Sequence, residues 1–356
     1  MAANWWTSTH RKHWSFTTDK LADMRDDLEK QHEKLLQQYP YSDRRLMFIF
    51  LRDRLLQLGK RLPFRQQCVA TALVYMHRYF LTTPMQNVNI YLLAATAFYL
   101  ASKTEESPHH IRLVASEARQ AWPEFVPGDV SRLGEMEFCL ISEMRSQLIV
   151  WHPYRTLKEL KANKDLGFSQ DEYNLAWCIV NDSFMTDLPL TCPPYLIGII
   201  AMFLAVIFYP NAKSGSMRPP LTNDFSMNSD GNAFSSLGGQ PRVAGVFGNA
   251  MTSLPMNPPS SAMSINSSRS NGASQTTPND PPKHVLTDKA SALQSIQSSE
   301  KLQNTIKFLV ESEIDLHRMI DGTQEIISLY ETWEQYNEKT IKDAVSRCLK
   351  SNAFDG

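Results

Sequence analysis

Net charge is almost absent from this chain: 36 lysines and arginines stand against 37 aspartates and glutamates. Such a balance exerts no general pull on polyanions or on an anionic membrane surface. Cysteine is scarce and odd in number. Cys68, Cys139, Cys178, Cys192 and Cys348 are scattered without metal-type spacing, which argues against a disulfide framework and for reduced, mostly buried thiols in the cytosol or nucleus. No apolar run is long enough for a membrane. Tyr195–Tyr209, fifteen uncharged residues between Pro194 and Pro210, falls short of the about 20 that a span requires. The opening MAANWWTSTHRKHW lacks the apolar core of a signal peptide, so a soluble protein is expected. Strand-type alternation is missing, as are GxSxG, P-loop and HExxH motifs. Adjacent His109 and His110 would face different sides of a helix, and lone His152 has no partner legible in the pattern. Neither a metal, a cofactor nor catalysis by this chain is expected.

What the chain does have is helical periodicity around one apolar stretch, Tyr91–Glu106 (YLLAATAFYLASKTEE). A helix apolar all round belongs inside a bundle, and its alanines let neighbours approach closely. Its charge is concentrated at one end, in Lys103, Glu105 and Glu106. Around this hub the pattern predicts Arg44–Leu58, with Ser42 as cap and Gly59 as stop. It also predicts Phe64–Leu81, with Val69, Ala72, Met76 and Phe80 on one face, then His109–Trp122 after a Ser107-Pro108 turn. Val130–Met144 completes the set, capped by Asp129 and burying Leu133, Leu140 and Met144. Five helices with short connections make a compact all-α bundle over residues 41–148.

An amino-terminal arm and helix (1–40) precede this bundle, with Trp5, Trp6 and Trp14 suited to docking and Leu21–Gln38 weakly amphipathic. Trp151–Arg155 (WHPYR) breaks the periodicity, so 149–168 reads as a linker. Gln170–Asp187 and a second all-apolar helix, Pro194–Tyr209, begin a second bundle over 169–350. Residues 211–300 interrupt it with 18 serines, nine of the 20 prolines, seven of the 14 glycines and no Trp or Tyr. That composition cannot bury enough apolar surface to offset chain entropy, and disorder is expected. Helix resumes at 301–336 and again at 338–349.

Two chemical features remain. Residues 40–150 carry 13 basic and 10 acidic side chains, too mixed for the one-sign footprint of a nucleic-acid binder. Glu137 lies one turn from Leu133 and Leu140, beside a buried row, and a carboxylate there wants a cation. Lys103 is the evident partner if the third and fifth helices are neighbours, although it could simply complement the end of its own helix.

LASKTEE (Leu100–Glu106), followed by EMEF (Glu135–Phe138), resembles the cyclin box. There the matching lysine and glutamate clamp the regulatory helix of a protein kinase. NWW, RQQCVATALVYMHRYF (Arg65–Phe80), WHPYR, LAWCIVND (Leu175–Asp182) and LYETWEQY (Leu329–Tyr336) are similar to the cyclin C group, which serves the kinase module of the RNA polymerase II Mediator. The resemblance spans nearly everything but 211–300. It implies two tandem five-helix cyclin-box bundles and a nuclear regulatory subunit that binds and activates a Mediator-type cyclin-dependent kinase, with other kinase-module subunits as further partners. It places Lys103 and Glu137 at the kinase contact and makes Phe98, Leu100 and Phe138 its apolar support. Glu105 and Glu106 would meet kinase arginines, while Trp5 and Trp6 would fix an arm that sets kinase preference. The alternative is a general-transcription-factor-like double cyclin fold on promoter DNA. One departure is clear: SDRRLMFIFLRDRLL lacks the MRxxLxDW pattern of a cell-cycle cyclin's substrate-docking patch.

Overall fold

The computed structural model describes residues 4–213 and 300–351, with side chains placed for 4–209 and 301–351. The insertion expected to be disordered, including Thr277-Pro278, lies almost wholly outside them. Among the described residues there is helix and no strand, and no helix is long and apolar enough to cross a membrane.

The arm begins with a 3-10 turn, Trp5–Thr7, and continues as α1 (Thr9–Trp14), α2 (Thr18–Gln31) and α3 (Glu33–Gln38). The single predicted helix over 21–38 is therefore broken, at His32. The first bundle consists of α4 (Arg44–Gly59), α5 (Gln66–Tyr79), α6 (Ile90–Thr104), α7 (Ile111–Ala121) and α8 (Val130–Glu143). α6 is its hub, packed on each of the other four. Asn89 caps α6 by accepting from the amides of Tyr91 and Leu92.

Three local expectations need correction. Asp43, not Ser42, caps α4. His110 caps α7 through its ring nitrogen, so Ser107 does not. Gly59 lies within α4 rather than past its end, and the Phe64 ring rests where a Cβ would stand, 1.9 Å from the nearest ring carbon. Asp129 caps α8 as its sequence suggests, and Leu133, Leu140 and Met144 are buried.

WHPYR is not a passive linker. Pro153 opens α9 (Tyr154–Ala162), which buries Tyr154, Leu157 and Leu160. With α10 (Gln170–Ser183), α12 (Pro194–Lys213), α13 (Glu300–Glu311) and α14 (Leu316–Glu334) it forms the second bundle, in which α12 touches the other four. A short α11 (Leu188–Thr191) precedes the hub. α15 (Glu338–Ser351), expected to finish this second bundle, packs instead on α4 and on the Met85–Asn87 turn of the first.

The bundles are welded by buried polar contacts. Arg52 meets Asp182 at 3.5 Å, to which Tyr330 donates at 3.1 Å. His77 stacks on Phe48 and lies 2.9 Å from the Phe184 carbonyl. Burial drives its imidazole down to about 3, so it stays neutral. Arg25 holds Asp187 with two hydrogen bonds of 2.5 and 2.7 Å, which makes it an anchor for α2. α5 is buried on every side from Cys68 to Tyr79, and not on one face only.

Candidate functional site

The last turn of α6 carries Lys103, and the middle of α8 carries Glu137. Lys103 Nζ and Glu137 Oε1 form an ion pair, as the spacing of hydrophobic residues suggests. The pair is part-exposed: the Lys103 side chain is 38% exposed and that of Glu137 15%, with the paired Oε1 itself buried. Tyr99, one turn back on α6, lies under the ammonium at 4.4 Å from its ring centroid, a cation–π support. Its i−4 spacing from Lys103 was visible in the sequence, though nothing there marked the ring as facing the charge.

Beside this pair stands Phe138, 77% exposed on α8. A large apolar side chain that far in water is a candidate contact. Ile149, just beyond α8, is also exposed and carried no sequence signal. Phe98 and Leu100 are different. Both are buried, with Phe98 packed edge-on to Phe64 and beside His109. Any support they lend comes from beneath, and no partner can touch them.

The two glutamates also part company. Glu106 is exposed and holds φ of +53°. It closes α6 in a Schellman motif, with Ser107 N donating to Ser102 O and Glu106 N to Lys103 O. Glu105 turns inward. Thr71 Oγ1 donates to it at 2.6 Å, and His152 Nε2 lies 3.5 Å from the same carboxylate oxygen. Burial opposes its charge, yet the nearby His152 ring and the hydrogen bond from Thr71 hold it below the ordinary carboxylate value. His152, without a legible partner in the sequence, thus has two. Both of these carboxylate contacts are made within the chain.

Trp5 and Trp6 form an edge-on pair against Tyr195 of α12, with Arg11 over the Trp6 ring. The arm is docked in cis. Trp14 covers Arg78, and Phe16 N donates to Leu190 O. Cys68, Cys192 and Cys348 are buried thiols, whereas Cys139 is exposed beside Phe138.

The comparisons with known proteins fit this geometry. Residues 20–140 match the model of the cyclin N-terminal domain, which takes in all of the first bundle up to Leu140. The chain is 41% identical over 355 residues to an RNA polymerase II holoenzyme cyclin-like subunit of Aspergillus fumigatus, covering all of both chains. A subunit of the same description from Emericella nidulans is 40% identical over 358 residues, again in full. Among solved structures, the chain is similar to one in the CAK complex of Chaetomium thermophilum bound to ATP-γ-S. There it is 16% identical with a TM-score of 0.48, and the match covers 96% of this chain and 87% of the other. This chain belongs to the cyclin family, among the fungal RNA polymerase II holoenzyme cyclin-like subunits.

Proposed function

We propose that this chain is the regulatory subunit of a Mediator-type cyclin-dependent kinase and acts on RNA polymerase II transcription in the nucleus. The observation that carries the reading is the part-exposed Lys103–Glu137 pair flanked by exposed Phe138. An ammonium has three donors and a carboxylate about four acceptor sites, so each partner of the pair retains valence for main-chain groups of a helix laid across it. Phe138 offers that helix an apolar seat. On the family mechanism the helix is the kinase element bearing a catalytic glutamate. Holding it in place sets that glutamate against the ATP-positioning lysine, as phosphoryl transfer requires. The chain itself supplies no reacting group. The remaining kinase-module subunits are further partners, and the docked arm with Trp5 and Trp6 is assigned to kinase preference.

Binding and kinase activation are to be measured with the purified kinase for wild type and Lys103→Glu. Charge reversal puts two carboxylates together and is expected to weaken affinity at least about 100-fold, within the range for losing one partner of a hydrogen-bonded charge pair. Binding that ignores the change would place the contact elsewhere. Absence of binding to any cyclin-dependent kinase would overturn the proposal.

A further inference from the structure

Along α5, Thr71, Tyr75 and Arg78 share one buried stripe at i, i+4 and i+7 spacing. Each bonds to the segment that leaves α8 for the second bundle. The Tyr75 hydroxyl donates to Leu148 O at 2.7 Å, and Arg78 Nη1 donates to Gln147 O at 2.8 Å. Thr71 Oγ1 lies 2.7 Å from His152 Nε2. Two of the three also reach the tip of α6: Thr71 through Glu105, and Tyr75 through the Thr104 hydroxyl at 3.0 Å. The stripe therefore joins the turn that carries Lys103 to the exit of the helix that carries Glu137.

Thr71 fixes the direction of the hydrogen bonds. A hydroxyl has one proton, and Thr71 gives it to Glu105. Its oxygen must then accept from His152, whose Nε2 carries a proton. His152 is 5% exposed at the side chain and wedged between the rings of Tyr154 and Phe184. Neither it nor Thr71 can touch a partner protein.

We propose that His152 and Thr71, acting through Glu105, are positioning residues for the kinase contact: they hold the α6 tip to the inter-bundle segment and so set Lys103 in register with Glu137. Glu105 is on this account an internal strut and makes no contact with the kinase. The inference rests on the proposed kinase reading.

The test is a double-mutant cycle on the full chain with its kinase, measuring affinity for wild type, His152→Phe, Lys103→Ala and the double variant. Phenylalanine keeps the ring packing and loses the hydrogen bond. His152→Phe is expected to weaken binding about 5- to 10-fold in the wild-type background, but about 2-fold or less once Lys103 is gone. Glu105→Gln, which still accepts from Thr71, is expected to bind nearly as wild type, and Glu105→Ala as poorly as His152→Phe. Thr71→Val, isosteric and buried, gives the same reading if His152→Phe does not fold. Equal losses in both backgrounds would reduce the cluster to general stability. A silent His152→Phe, or a Glu105→Gln as damaging as Glu105→Ala, would overturn the inference while leaving Lys103 at the interface. Failure of wild type to bind would instead sink the kinase reading beneath it.

Discussion

Two ion pairs made of similar groups do opposite work in this molecule. Arg52 and Asp182 meet where the bundles join, with side chains 13% and 2% exposed. The Arg52 guanidinium lies over Trp333, and Tyr330 donates to the carboxylate. Burial outweighs Arg52's charge and pushes Asp182 up to about 6. Lys103 and Glu137 meet at the rim, over Tyr99, with valence to spare. A closed pair fixes the fold and resists exchange of partners; an open pair adds little to stability and can take on a second task. What separates them is the aromatic and helical cover, not the chemistry of the charges.

The same kind of substitution should therefore have contrasting costs. Arg52→Met leaves a buried carboxylate without its cation and is expected to cost about 3–5 kcal/mol in urea denaturation. Lys103→Met should stay within about 1 kcal/mol while weakening the kinase contact. Comparable stabilities for the two variants would break the comparison.

The next largest effect is on pH dependence. Folded Asp182 holds its proton up to about 6, against an ordinary value of 3.8. The folded state then binds more protons than the unfolded one between about 4 and 6. Its contribution to stability falls as pH rises through that window, by on the order of 3 kcal/mol. Asp187 runs the other way. Burial opposes its charge, but Arg25 and then Arg44 hold it down at about 2, so its stabilisation is present above about 4 and is lost as pH falls toward 2. Urea midpoints from pH 2 to 7 should show the fall between 4 and 6 disappear in Asp182→Asn. An unchanged profile would assign the fall to other groups.

The smallest effect sharpens the open end. Glu106 at φ +53° occupies a position that suits glycine. Glu106→Gly is expected to raise stability by about 0.5–1 kcal/mol. A stability loss would mean that the side chain has a structural partner.

Both hubs could be read from the sequence because an all-apolar run can be satisfied in only one way, by helices on every side. The Lys103–Glu137 pair was partly legible: a carboxylate next to a buried row wants a cation, the polar tip of α6 was the evident source if the two helices were neighbours, and the cyclin resemblance named the same two residues. Contacts between bundles left no such trace. Thr71 lies 81 residues from His152, and neither residue belongs to a periodic pattern that points at the other. α9 was hidden by its own Pro153, which reads as a breaker but serves to open a helix. The arrangement of α5 was half visible, since a hydrophobic face can be counted whereas His77 becomes interior only under the second bundle and Arg78 only under Trp14 of the arm.

The return of α15 to the first bundle bears on how the protein is made. α15 covers α4 and the turn at Gln86, whose carbonyl accepts from Cys348 Sγ. A ribosome adds roughly 5–20 residues per second, so the 208 residues from the end of α8 at Glu143 to Ser351 take roughly 10–40 s at that rate. Throughout that interval the first bundle has an uncovered flank, with Tyr336 and Glu338 not yet available to Asp53 and Arg54. A stop codon placed before Glu338 would thus damage the bundle that was synthesised first.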